Sequence, residues 1–203
     1  MDWSDSWRGA FRIELRAQAI GLAWRGWQVM PGTYPAGNQW AGGSGPRSDV
    51  PTPVFEDWAE RVGTAAHAEI ADWWNGEPYS LLVATGKTLD AIEVGDELGR
   101  QTAAVLRSTG FPVPIAATPN GRWLFLVEAG ERMHSELAAS DDVVVHGAGS
   151  WIPLPPSAFL AGIVHWRVRP EVCGWDLPSS RIVQDALLRA VPEKAGYGNL
   201  LAA

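Results

Sequence analysis

A mixed, largely antiparallel α/β fold with helices packed on its sheet is the class this sequence predicts, and three observations carry it. Short apolar runs of strand length alternate with longer segments of helical periodicity. Turn chemistry falls between some of those runs, as at Pro119-Asn120-Gly121. Segment 122–127 is apolar on both faces, with Trp123, Phe125 and Val127 on one and Leu124 and Leu126 on the other, the pattern of a central strand covered on each side.

The elements follow in order. Ala10, Ile13, Ala17, Ile20, Trp24 and Trp27 recur at a spacing close to one face of a helix over 9–26, and Gly26 ends it. Residues 27–31 read as a strand closed by Pro31. From 31 to 53 the composition turns to Pro, Gly, Ser and Asn, which predicts a flexible surface loop that Trp40 pins to the body. Residues 56–74 read as a helix in two pieces, with Thr64 as N-cap of the second. A hairpin is expected from 81–84 and 89–94 around Thr85-Gly86-Lys87, a helix from 96 to 109 stopped by Gly110, and a second hairpin from 114–118 and 122–128. A short helix at 133–139, a third hairpin from 143–145 and 151–154, a strand at 163–168 and a helix at 180–190 complete the chain.

With 203 residues, 46% hydrophobic and 19% charged, the chain suits one domain over 1–203. No apolar stretch is long enough to span a bilayer, and the N-terminus lacks the basic and apolar blocks of a signal peptide, so the expectation is a cytoplasmic protein with no membrane partner. The lone Cys173 excludes an intramolecular disulfide and a cysteine-rich zinc site. A net charge of −7 confines any nucleic-acid contact to a local groove, because such binding draws its affinity from Lys and Arg on phosphates. Twelve Trp at mostly periodic positions read as core packing rather than base-stacking platforms.

Glu93 raises the question of chemistry. It shares a strand face with Leu89 and Ala91, and a carboxylate on an apolar face is costly unless it is paired, hydrogen-bonded, metal-bound or at a strand end in water. The Gly86-Lys87-Thr88 triplet is not a phosphate loop, since Leu81 stands where the first glycine is needed and the segment leads into a strand.

Taken together, the opening helix, Arg25 to Val29, the helix end at Ile70 to Trp74, the Asn120-Gly121-Arg122 turn and His146-Gly147-Ala148-Gly149-Ser150-Trp151-Ile152-Pro153-Leu154-Pro155-Pro156-Ser157 resemble the N-terminal primase-polymerase domain of bifunctional DNA primase/polymerases. That family is a branch of the archaeo-eukaryotic primase superfamily, and the resemblance, over residues 12–170, is to divergent actinobacterial members. It implies two carboxylates one residue apart on a strand, a third on a neighbouring strand, a histidine on the nucleotide phosphates, and two divalent ions at the reacting oxygens.

Here Glu93 matches the first carboxylate, while Gly95, Trp123 and Val144 fall on the second carboxylate, the histidine and the third acidic position. The resemblance therefore implies a degenerate site with Glu93 as its remnant, Glu93 and Asp96 as weak metal ligands, and Arg122, His146 and Ser157 as nucleotide contacts. No cofactor is expected, or Mg²⁺ or Mn²⁺ if the site is active. Three functions compete: a non-catalytic module binding nucleotide, nucleic acid or a partner; an active primase/polymerase in DNA replication with a relocated metal site; and a protein-interaction module with no nucleotide role.

Overall fold

The computed structural model describes residues 3–43 and 48–190, with side chains from residue 9 onward. In chain order, α1 (Trp3–Trp24) leads to β1 (Val29–Gly32), the hairpin of β2 (Tyr34–Ala36) and β3 (Gln39–Ala41), and the short helices α2 (Trp58–Arg61) and α3 (His67–Trp73). Next come β4 (Ser80–Ala84), β5 (Asp90–Gly95), α4 (Asp96–Thr109), β6 (Ile115–Ala117), β7 (Arg122–Val127) and α5 (Ser135–Ala138). The chain continues through β8 (Val144–His146), β9 (Trp151–Pro153), β10 (Ala158–Phe159), β11 (Gly162–Ile163) and β12 (His165–Val168), then a 3-10 turn and α6 (Ser180–Ala190). Among the described residues, no helix is long and apolar enough to cross a membrane.

The strands form two main antiparallel sheets, one of five strands in the order β12-β6-β7-β5-β8 and one of three in the order β1-β4-β9. β7 sits at the middle of the larger sheet, as its two apolar faces require. One face, with Ile92, Val94, Trp123, Phe125 and Val127, packs under α4 and α6. The other, with Ala91, Ala116, Leu124 and Leu126, shares a core with Leu81, Val83 and Ile152 of the smaller sheet and with Leu15, Ala19 and Leu22 of α1. The fold is thus α+β, with antiparallel sheets and no closed barrel.

Local chemistry sets several boundaries. Asp96 and Glu97 begin α4, where carboxylates favour the positive end of the helix dipole, and Gly110 ends it in the left-handed conformation with φ 76°. The hairpin of β6 and β7 forms around Gly121, whose φ is 80°.

Other expectations need correction. The strands expected as a first hairpin lie in different sheets, because β4 pairs with β1 and β9 while β5 pairs with β7 and β8. The third expected hairpin divides the same way, β8 joining the larger sheet and β9 the smaller. Each turn carries the chain from one sheet to the other, and the two crossings pack together: Thr85 N–H donates to Ser150 O at 3.0 Å and Thr85 Oγ1 to Gly147 O at 2.6 Å. Within 31–53, β2 and β3 pair and Thr33 N–H donates to Thr52 O at 2.8 Å, so most of the expected loop is structured; residues 44–47 lie outside the described residues. Trp40 does pack on the core, edge to face against Phe159.

Thr64 does not cap α3. Its Oγ1 donates to the carbonyls of Glu60 and Arg61 at the end of α2, and the residue before α3 is Ala66. The buried face of α1 also differs from the expected one. Leu15, Ala19, Leu22 and Ala23 are buried, whereas Ala10, Ile13, Ala17 and Trp24 face outward, because this helix is apolar on two sides.

Candidate functional site

The register of β5 with its two neighbours builds the site. Glu93 lies opposite Leu124 on β7 and Val144 on β8, Gly95 opposite Arg122, and Ala91 opposite His146. Directly opposed residues share a face, so Glu93, Gly95, Arg122, Val144 and His146 all stand on the side facing the smaller sheet. There Glu93, Arg122 and His146 line a cleft of about 150 Å³, walled by Pro51, Trp151, Pro153 and Phe159.

Both oxygens of Glu93 are taken. Arg122 Nε donates to Oε1 at 2.7 Å, and His146 Nε2 lies 2.8 Å from Oε2. His146 Nδ1 lies 3.1 Å from Ser150 Oγ, so the imidazole bridges Glu93 and Ser150. The rest of the guanidinium is occupied by Asp142, with Nη1 on Oδ1 at 2.6 Å and Nη2 on the main-chain carbonyl at 3.0 Å.

Burial would raise the Glu93 carboxyl, but the hydrogen bonds from His146 and Arg122, with their charges, outweigh it and hold Glu93 below its ordinary value. Burial would likewise lower Arg122, and its bonds to Glu93 and Asp142 prevail to raise it. The geometry is that of a connected polar lattice, in which Arg122 bridges Glu93 and Asp142.

Gly95 has a definite part in this lattice. Its N–H donates to Asp142 Oδ1 at 3.1 Å, and a Cβ at this position would stand 2.8 Å from that same oxygen. The missing side chain is therefore the space that the Asp142 carboxylate fills.

Three of the sequence-derived assignments are relocated. Trp123 lies opposite Val94 and faces α4, away from Glu93; its Nε1 donates to Asp96 Oδ1 at 2.8 Å and its ring packs on Gly99. The β7 side chain delivered to the cleft is Arg122. Asp96 is accordingly on the far side of the sheet, held by Trp123 and Arg100, and does not join Glu93 as a metal ligand. Ser157 is fully buried, and its Oγ receives Leu81 N–H at 2.7 Å and donates to Leu81 O at 2.9 Å, so it fastens β4 rather than facing a nucleotide.

Arg122 and His146 do reach the cleft, and Val144 lies on the same face at an exposed edge. Asp142 and Ser150 are the participants that sequence reasoning missed. Asp142 looks like an ordinary turn residue, and only its proximity to Gly95 gives it a role. Among the described residues, no group of three or more His, Cys, Asp or Glu side chains is arranged to hold a metal ion.

Two facing antiparallel sheets, with a carboxylate on a central strand of the larger one turned into the cleft between them, define an α+β domain of the primase-polymerase type. The family model for the N-terminal domain of bifunctional DNA primase/polymerases matches residues 19–180, and the chain belongs to that family. No curated protein matches the chain.

Proposed function

We propose that this domain is a non-catalytic member of its family, which keeps the primase-polymerase scaffold as a binding module for a protein partner and does not carry out nucleotidyl transfer. The observation that supports the reading is the engagement of both Glu93 oxygens by Arg122 and His146, with the nearest second carboxylate, Asp142, clamped by the same guanidinium. The two divalent ions of the family's chemistry do not fit this donor set. Gly95 and Val144 offer no side-chain oxygen, and Mg²⁺ demands about six oxygen ligands in near-octahedral geometry. An aspartate at 95 would first have to displace Asp142.

The same lattice argues against the cleft as a nucleotide site. Arg122 has no free fork to offer a phosphate, and about 150 Å³ falls below the roughly 300 Å³ at which small-molecule sites begin. The acidic chain disfavours nucleic acid on electrostatic grounds, which leaves a protein partner as the reading favoured by charge.

The test is incorporation of labelled dNTP or rNTP on primed and unprimed templates with Mg²⁺ or Mn²⁺, run beside Glu93→Ala. The expected result is no synthesis by either protein and no rise in melting temperature on titrating dNTP with metal. Synthesis that Glu93→Ala abolishes would overturn the proposal. A dNTP-dependent rise in melting temperature without synthesis would reassign the module to nucleotide binding.

A further inference from the structure

The outward face of α1 carries an apolar stripe that its own chain leaves open. Trp24 is 72% exposed and Ile13 68%, and Ala10, Ala17 and Gly21 continue the stripe on the same side. Trp24 touches the ring of His67 with 4.7 Å between centroids, yet most of the indole remains in water. Exposed apolar groups at helical spacing mark a packing surface.

The charges around the stripe narrow what can cover it. Arg12 and Arg16 fold back onto their own chain, donating to Gly76 O at 2.9 Å and to Ala71 O at 2.8 Å. In a chain of net charge −7 this leaves little to hold a polyanion or an anionic bilayer. Glu14 and Arg25 flank the stripe with no ion-pair partner among the described residues; Arg25 rests on the Trp175 ring, 3.6 Å from its centroid.

We propose that the occupant is a second copy of this chain, with α1 packed antiparallel on α1 across a two-fold axis level with residue 19. The sequence of the helix is self-complementary about that level. Ala17 of one copy meets Gly21 of the other at the crossing, where two small residues let the backbones approach. At about 1.5 Å of rise per residue, Ile13 and Trp24 stand about 9 and 7.5 Å from the axis on opposite sides, so each Ile13 comes level with the Trp24 of the other copy. Glu14 and Arg25 obey the same relation. At about 100° per residue, Ile13, Ile20 and Trp24 form one flank of the stripe and Glu14 and Gln18 the other, with Arg25 in the turn directly after the helix, and an antiparallel two-fold sets like flank against like flank. One side of the seam is therefore apolar and the other holds two Glu14 to Arg25 ion pairs.

The buried area sets the strength. Two exposed indoles, two isoleucines and their neighbours remove on the order of 1,000 Å² in total, the lower bound for a specific interface. The dimer is accordingly a concentration-dependent one.

Sedimentation velocity of the full chain from about 1 to about 500 μM, a range matched to micromolar dissociation constants, tests the proposal. The expected result is a shift from monomer to dimer across that range. Glu14→Arg alone and Arg25→Glu alone should each weaken association about tenfold, and the double variant E14R/R25E should restore it, since the swap rebuilds both pairs. Thermal melts of every variant guard against misfolding, and Ala17→Glu, which places a charge at the crossing without touching the core, provides a second disruption. A chain that stays monomeric throughout, or a double variant no better than the single ones, would overturn the proposal. So would binding to anionic lipid vesicles or to single-stranded DNA that Ile13→Glu removes, because the stripe would then belong to that partner.

Discussion

Arg122 neutralises Glu93, a carboxylate that the sheet has turned toward a half-buried cleft. Its removal leaves that charge with one partner fewer in a half-buried cleft. Arg122→Ala should cost about 2 kcal/mol, which for a chain of this length lowers the melting temperature by about 6 °C, with Arg122→Lys falling between because it lacks the fork. The pH dependence has a definite sign. Glu93 titrates below its ordinary value of 4.5 when folded, so its contribution is fully present above that pH and is lost as pH falls through the lower folded value. The stability difference between the wild type and Glu93→Gln should therefore be constant above pH 4.5 and shrink below it; a difference that grew on acidification would refute the assignment. Much of this site was legible in the sequence. A carboxylate in phase with Leu89 and Ala91 needed a partner, and Arg122 and His146 were both singled out. What could not be read was register: one residue decides that Arg122 enters the cleft while Trp123 and Asp96 meet behind the sheet, and Asp142 gains its role only through the space left at Gly95.

Turn chemistry tells a chain where to reverse but not which strand to pair with next. The Asn120-Gly121 turn joins true partners, whereas the turns at Gly86 and at 147–150 hand the chain from one sheet to the other. β4 and β5 are each flanked by other strands on both edges, so neither has an edge left for its neighbour in sequence. β2 and β3 escaped notice for a different reason. They are three residues each, lack aliphatics, and rest on ring contacts, Tyr34 with Tyr79 and Trp40 with Phe159, that only the tertiary structure supplies. The crossing itself gives a sharp prediction. Gly86 has φ 98°, and a Cβ there would lie 2.3 Å from Ala148 Cα, whereas Gly130 has φ 90° with open space around it. Gly130→Ala should cost only the left-handed strain, roughly 1–2 kcal/mol, and Gly86→Ala at least about 2 kcal/mol more, because backbone must move as well. Equal losses in denaturant titrations would show that the two crossings do not press on each other.

At the scale of the whole molecule, the question is whether the two sheets fold as one body. Their shared core answers it physically. Leu81, Val83 and Ile152 of the smaller sheet touch the same apolar cluster as Ala91, Leu124 and Leu126 of the larger, and α1 closes that cluster with Leu15, Ala19 and Leu22. Neither sheet can lose its partner without exposing this surface, and at about 25 cal/mol per Å² each fully buried aliphatic contributes on the order of 2 kcal/mol. The two crossings are tied to each other by Thr85, which donates to Ser150 O and Gly147 O, and Ser157, held far from β4 in sequence, pins Leu81 by both its N–H and its carbonyl. Partial unfolding that releases one sheet would expose this shared apolar face. The expected outcome is a single cooperative transition in urea, with coincident midpoints by far-ultraviolet circular dichroism and by tryptophan fluorescence. Fluorescence is a fair probe of both sheets because Trp123 reports on the larger and Trp151 on the smaller. Replacing Ser157 by alanine should shift both curves together by about 1–3 kcal/mol, the cost of orphaning the buried Leu81 N–H, while the Leu81 carbonyl keeps its bond from Leu154 N–H. A fluorescence transition that separated from the dichroism, or split in two in the Ser157→Ala variant, would mean that the sheets are independent units joined by their turns.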